Sequence, residues 1–290
     1  MASAVPLPQR LNDALKELHL PTVRECYQEE AQRAQAESAS YEQYLLELVE
    51  REREARRANR VSRLLRESKL PLEKNLAAFE MERLPRPVAT QIRTLLEGSF
   101  LERKENVLAF GNPGSGKSHL LCALGQELIQ LGYRVLFVTC SLLVQDLLSA
   151  KRDLRLSRAL KRLRKYQAVI IDDIGYVQQN REEMEVLFSL LADRYETGSV
   201  MITSNLPFSQ WERIFKDPMT TAAAIDRLVH HSVILELNLP SYRLERSQQN
   251  QTASNRHGGD LPPRGEVTRG KTKKKGEERK DRKNGKSNRR

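Results

Sequence analysis

The chain is 290 residues long, 39% hydrophobic and 30% charged, with a formal net charge of +11. That length buries one full-sized core and a small second one, and no run of eighteen apolar residues offers a membrane span. The opening "MASAVPLPQRLNDALKEL" lacks the continuous apolar stretch of a secretion signal, so a cytoplasmic location is expected.

Residues 1–70 are charge-dense and carry apolar side chains at helical spacing, as in Tyr41, Tyr44, Leu45, Leu48 and Val49 of "YEQYLLELVEREREARRANRVSRLLRES". An all-helical N-terminal domain that contacts DNA or a partner is predicted there. Its basic side chains Arg51, Arg53, Arg56, Arg57, Arg60, Arg63 and Arg66 recur around more than one helical face. Two readings stand: a surface that lies along phosphates, or a solvated helix laced with Glu and Arg pairs. Pro71, Pro85 and Pro87 then break the pattern, and 71–105 reads as a connector.

From Asn106 the pattern changes. "NVLAF", "RVLFVT", "AVIIDDI", "SVMITSN" and "SVILEL" are short apolar runs separated by helical segments. Such alternation predicts an α/β domain over 106–246, a parallel five-stranded sheet with helices on both faces. Cys26, Cys122 and Cys140 form no CxxC pair, and the last two fall in buried-looking patterns, so they read as core residues in a reducing compartment.

Between the first strand and the next helix lies "GNPGSGKSHL", in which Gly111, Gly116, Lys117 and Ser118 satisfy GxxxxGK[ST]. Residue frequencies produce that match by chance in roughly one chain of this length in a hundred, and seldom between a strand and a helix. The position suits the chemistry. Gly111, Asn112, Pro113, Gly114, Ser115 and Gly116 form a loop whose N–H groups close around a β-phosphate. The helix opening at Lys117, Ser118 and His119 adds its positive dipole end. Lys117 is expected to reach the β- and γ-phosphates, and Ser118 to offer its hydroxyl to Mg²⁺.

"AVIIDDI" ends in Asp172 and Asp173. Paired carboxylates at a strand end can simply start a turn, but in a parallel sheet downstream of a phosphate loop they reach the nucleotide crevice. Asp172 is then expected to hold the Mg²⁺ shell and Asp173 to orient or polarise an attacking water. "VMITSN" ends in Thr203, Ser204 and Asn205, of which Asn205 is placed to hold that water; alone, such a trio merely ends a strand. "AKRDLRLSRALKRLRKY" gathers Lys151, Arg152, Arg155, Arg158, Lys161, Arg162, Arg164 and Lys165 with almost no acids. It reads as a duplex-backbone surface or a solvated basic face, and the missing aromatic ladder argues against stacking on single strands. His230 and His231 have no metal-ligand spacing and read as structural.

The succession "GNPGSGKS", "VIIDD" and "ITSN" resembles the AAA+ ATPases, P-loop proteins of the ASCE type, and more closely their IstB/DnaC-like branch. That branch holds the ATP-binding helpers of IS21-type insertion sequences and the replicative helicase loaders. "LPTVRECYQEEAQRA", "YEQYLLELVERE", "IIDDIGYVQQNREEMEVLFSLLADRYETGSVMITSNLPFSQW" and "AAAIDRLVHHSVILEL" point to the helpers, and the resemblance spans Leu11 to about Arg246.

The resemblance implies ATP and Mg²⁺ as ligands, Gly111 to Ser118 as the Walker A loop, Asp172 and Asp173 as the Walker B acids, and Asn205 as sensor 1. It implies Arg227 of "IDRLVHH" as an arginine finger reaching the next subunit, and Arg243 of "PSYR" as a nucleotide sensor, although no helical lid follows. Most AAA+ proteins carry Glu where Asp173 stands; the shorter side chain implies slow hydrolysis suited to a switch. The implied function is assembly with ATP into a homo-oligomeric ring, spiral or filament on double-stranded DNA, recruiting the transposase of the same element at the bacterial nucleoid. Helicase loading is the alternative within the same branch. A P-loop kinase of a small metabolite is a third reading, opposed by water-positioning groups with no obvious acceptor pocket.

Residues 247–290 read as a disordered basic tail: Gln251 to Arg290 holds fourteen Lys and Arg against five acids, so +9 of the +11 lies there. Its composition suits a solubiliser or a phosphate-attracting arm equally. If it is an arm, deleting Gln251 to Arg290 flattens the salt dependence of DNA binding, read from titrations across a salt series, and leaves any ATP dependence in place. An unchanged slope leaves the tail as a solubiliser.

Overall fold

A computed structural model describes residues 5–175, 180–211, 218–242 and 245. The chain divides into two units, 1–246 and 247–290; the second, with the basic tail, lies outside the described residues. Among the described residues no helix is long and apolar enough to cross a membrane.

The five expected strands are present: β1 (Asn106–Phe110), β2 (Val135–Thr139), β3 (Ala168–Ile174), β4 (Ser199–Ser204) and β5 (Ser232–Glu236). They form one all-parallel sheet in the order β2-β3-β4-β1-β5. Their apolar runs are continuous because both faces are covered, and the two-residue period sorts side chains between two cores. Val107, Ala109, Ala168, Ile170 and Met201 face one core; Leu108, Val169, Ile171, Val200 and Ile202 face the other. Buried Asn106 ties the strand starts together, accepting from the Val200 N–H at 2.9 Å and donating to the Leu228 carbonyl at 3.1 Å.

The first 70 residues fold as α1 (Leu7–Glu17), α2 (Pro21–Ala36) and α3 (Tyr41–Ser68). Leu15, Val23 and Leu48 make a small core of their own, whereas Leu64 at the other end of α3 belongs to the sheet core. One 28-residue helix therefore serves both parts, and their junction falls inside α3. No side chain at the N-cap closes α2, so Glu52 of α3 does so, accepting the Thr22 and Val23 N–H groups at 2.9 and 3.2 Å. Burial alone pushes the Glu52 carboxyl up, but those bonds and the Arg56 guanidinium outweigh it and hold the group below its ordinary range. Several of the arginines are thus structural: Arg51 pairs with Glu30, Arg56 with Glu52, and Arg60 donates to the Gly132 carbonyl.

Residues 71–105, expected as a connector, carry α4 (Arg86–Leu96) and α5 (Ser99–Glu102), whose Ile92, Leu95, Phe100 and Leu101 are buried against β1 and its neighbours. Pro85 and Pro87 act as helix starters here, at the N-cap and in the first turn, where a missing N–H costs nothing. Beyond β1 come α6 (Lys117–Gln130), α7 (Cys140–Arg152), α8 (Leu156–Leu163), α9 (Arg181–Arg194) and α10 (Pro218–Val229). Cys122 and Cys140 are buried, as expected, and burial pushes the Cys122 thiol up to about 12, leaving it inert.

At the end of α9 the Arg194 guanidinium is buried and donates to four carbonyls: Leu163 at 3.2 Å, Tyr166 at 2.8 Å, Gln167 at 3.0 Å and Ser199 at 2.7 Å. Burial pushes its pKa down to about 10, so it stays charged at neutral pH. It pins the α8–β3 turn to the start of β4. Arg194→Met keeps the apolar stem but strands those carbonyls, so urea denaturation should show a loss of about 2–5 kcal/mol; a change within the error of the measurement contradicts this role.

Candidate functional site

The phosphate loop leaves the end of β1 and is held from two sides. Phe110 accepts from the Leu237 N–H at 2.7 Å, and Gly114 accepts from the Tyr242 N–H at 3.0 Å, so the chain after β5 crosses over the loop. Backbone approaches so closely at Gly111 that a Cβ there would lie 2.2 Å from the Leu237 carbonyl oxygen. Only glycine fits. Gly116, with φ of 96°, is the N-cap of α6, and the helix delivers its N–H groups to the loop's concave side. Lys117 turns back into the loop, where its Nζ donates to the Gly111 and Asn112 carbonyls at 2.8 and 2.9 Å. Ser115 Oγ is buried with no hydrogen-bond partner among the described residues.

The two acids at the end of β3 occupy different environments. Asp172 is buried, paired in register with Thr139, and its Oδ1 accepts from the Thr203 hydroxyl at 2.6 Å. The same Thr203 oxygen accepts the Asp173 N–H at 2.8 Å. The β3–β4 register shifts between Ile171 and Ile174, and Asp173 adopts a left-handed φ of 61°. A regular strand would send consecutive side chains to opposite faces. The bulge instead exposes Asp173 at the cavity while Asp172 stays buried, and one hydroxyl fixes both positions. Sequence reasoning noted Thr203 only as one of a polar trio and missed its place between the acids.

A cavity of about 280 Å³ gathers Pro113, Gly114, Ser115, Gly116, Lys117, Ser118 and His119 with Asp173 and Asn205. Gly111 and Asn112 stand at the loop's entrance, bonded to Lys117, and Asp172 is not among the lining residues. A second group of lining residues was not anticipated: Phe79, Glu80 and Arg83 from the expected connector, and Leu239 and Tyr242 from the chain after β5. His119 fastens this group to the loop, its Nε2 2.9 Å from the Asn75 carbonyl and its ring edge-on to Phe79 at 5.3 Å. The Arg83 guanidinium lies 5.2 Å over the Tyr242 ring and donates to Glu245 at 2.7 Å. The loop, its unsatisfied buried hydroxyl and the paired acids fit a Mg²⁺-bound triphosphate, and the aromatic end fits a base.

Arg227 is not a lining residue of this cavity. It sits on α10, donating to the Ala223 carbonyl at 3.1 Å with its guanidinium 4.9 Å from the Phe188 ring of α9. Arg243 lies outside the described residues. The basic segment between β2 and β3 is two helices, and the acids that pair with its cations come from α9: Lys151 pairs with Glu185, Arg152 with Glu182 and Arg164 with Asp193. His230 takes a structural contact, its Nδ1 3.2 Å from the Tyr195 hydroxyl.

A family model of IstB-like ATP binding proteins matches residues 13–250. The chain is 41% identical over 235 residues to a Sinorhizobium fredii protein named as an insertion sequence ATP-binding protein, covering 81% of this chain and 79% of that one. It is 36% identical over 238 residues to a Geobacillus stearothermophilus protein named as the ATP-binding protein of insertion sequence IS5376, covering 82% and 95%. In fold it is similar to the crystal structure of the DnaC helicase loader, with TM-score 0.50 and 18% identity over 57% of this chain and 96% of that chain. The five-stranded order, the P-loop between β1 and α6 and these matches establish that the chain belongs to the IstB-like ATP-binding protein family.

Proposed function

We propose that this protein binds ATP with Mg²⁺, hydrolyses it slowly, and uses the bound state to assemble copies of itself on double-stranded DNA and recruit the transposase of its element. The observation that carries the reading is the convergence of Lys117, Ser118, Asp173 and Asn205 on one cavity, with Thr203 joining the two acids behind it. The relatives' names support ATP and an insertion sequence.

In this reading Lys117 exchanges its two loop carbonyls for phosphate oxygens, and the N–H groups of Gly114 to Ser118 neutralise the chain of phosphates. Ser118 and Asp172 would hold Mg²⁺, with the Asp172 carboxylate fixed in place by the Thr203 hydroxyl. The ion supplies charge neutralisation at the transferring phosphoryl group. Asp173 and Asn205 orient the attacking water, with Asp173 as its base. Phe79, Arg83 and Tyr242 enclose the base. Arg227 acts in trans: held by Phe188 outside its own cavity, it is presented to a neighbouring copy. The helices of residues 1–70 carry partner contacts, and the cations of α8 that have no ion pair among the described residues carry DNA phosphates.

Four substitutions separate these roles in assays of nucleotide binding and phosphate release. Lys117→Ala should weaken ATP binding by about 100-fold, the scale of a lost buried charge contact. Asp173→Asn should leave binding intact and lower turnover by about 10²- to 10⁴-fold. Thr203→Val should lower turnover by about 10- to 100-fold with little change in affinity, and Thr203→Ser should restore it, since only the hydroxyl is required. Parent-like binding and turnover in Lys117→Ala overturns the site itself. Full activity in Thr203→Val removes the hydroxyl from the account.

A further inference from the structure

We propose that Leu154, at the turn between α7 and α8, is an apolar wedge that enters the stack of base pairs in duplex DNA; this rests on the duplex contact proposed above. The turn is a Schellman closure, with the Arg155 N–H donating to the Ala150 carbonyl at 2.7 Å and the Leu154 N–H to the Lys151 carbonyl at 3.0 Å. It requires a left-handed residue, and Leu154 supplies it with φ of 57°. Glycine is the ordinary choice there, and a branched side chain is strained. The other described non-glycine residues at positive φ are His19, Ser38, Lys69, Lys104, Asp173 and Glu196, all polar. Leu154 alone is apolar, and at 94% exposure it is the most exposed large hydrophobic residue described. It therefore returns nothing to the core and makes its own turn harder to form.

The residues that follow it in the chain identify the surface it meets. Arg155, Arg158, Lys161 and Arg162 are exposed and have no ion pair among the described residues, in contrast to Lys151, Arg152 and Arg164, which α9 neutralises. Arg155, Arg158 and Arg162 line one groove, with Asp146 and Asp153 as the acids beside them. Guanidinium groups that grip phosphates next to a protruding apolar side chain are an arrangement by which a protein partly unstacks a base step and bends the duplex. The cations position and the leucine deforms, so the two contributions are separable. A leucine followed by arginines that have no ion pair among the described residues fits an apolar pocket on an acidic protein less well, because each arginine would there need a matched carboxylate.

The test uses the full chain with ATP and a duplex carrying 2-aminopurine, whose fluorescence rises when its base unstacks. The parent should raise the signal about two- to fivefold, as expected for a wedged step. Leu154→Gly relieves the left-handed strain, so it should melt at a higher temperature than the parent, bind the duplex within about threefold with the same salt slope, and lose the fluorescence rise. Leu154→Met should keep the rise. Arg158→Ala combined with Arg162→Ala should weaken binding and flatten the salt slope while the signal per bound protein stays. If Leu154→Gly gives the parent's signal, or the parent binds without any signal, the wedge is wrong while the duplex contact stands. If the parent does not bind duplex DNA at all, the DNA reading falls and the wedge with it.

Discussion

Parallel pairing of β1 with β4, and of β4 with β3, is the constraint on which the rest depends. Because all five strands run the same way, the carboxyl ends of β1, β3 and β4 emerge on one edge of the sheet. The glycine loop, the two acids and Asn205 therefore meet although nearly a hundred residues separate the first from the last. Crossover helices on both faces enforce that pairing, and the alternation of Val107 with Leu108 or Ile170 with Ile171 between two cores resists a slip of register. The bulge at Asp172 and Asp173 is a local departure from this regularity, tolerated because the Thr203 hydroxyl satisfies both the Asp172 carboxylate and the Asp173 N–H.

The strands were legible in the sequence because a parallel sheet buries both faces and leaves unbroken apolar runs. The loop and the strand-end polar residues were legible because their spacing is set by local chemistry. Other features depend on contacts between distant segments and leave little local trace. Pro85 and Pro87 carry the same signal whether they open a helix or a linker, and only the burial of Ile92 and Phe100 decides. Phe79 and Arg83 reach the cavity from the segment before β1 and Tyr242 from the chain after β5, so no spacing joins them. The break between α7 and α8 leaves no signal in the sequence because Leu154 occupies a turn position that glycine would have announced.

Charge is distributed more deliberately than the composition suggests. Cations in α3 close gaps between helices, bonding Glu30, Glu52 and the Gly132 carbonyl, and Arg194 holds a turn from inside the core. Those side chains are spent on folding. The exposed cations of α8 that have no ion pair among the described residues stand apart from them, on the helix whose C-terminal turn Arg194 anchors to β4 through the Leu163, Tyr166 and Gln167 carbonyls. A rigid attachment between the nucleotide-bearing sheet and the basic helices is what a protein needs if occupancy of one is to govern engagement of the other.

In the proposed function, Arg227 of a neighbouring copy completes the triphosphate site in this cavity, so nucleotide and assembly are linked. Sedimentation of the full chain with duplex DNA, with and without a non-hydrolysable ATP analogue, tests this most directly. Multi-subunit complexes that form only with the analogue, and that Arg227→Ala abolishes without loss of nucleotide binding, are the predicted result. A protein that stays monomeric when saturated with both analogue and duplex, or that assembles equally well without nucleotide, contradicts it.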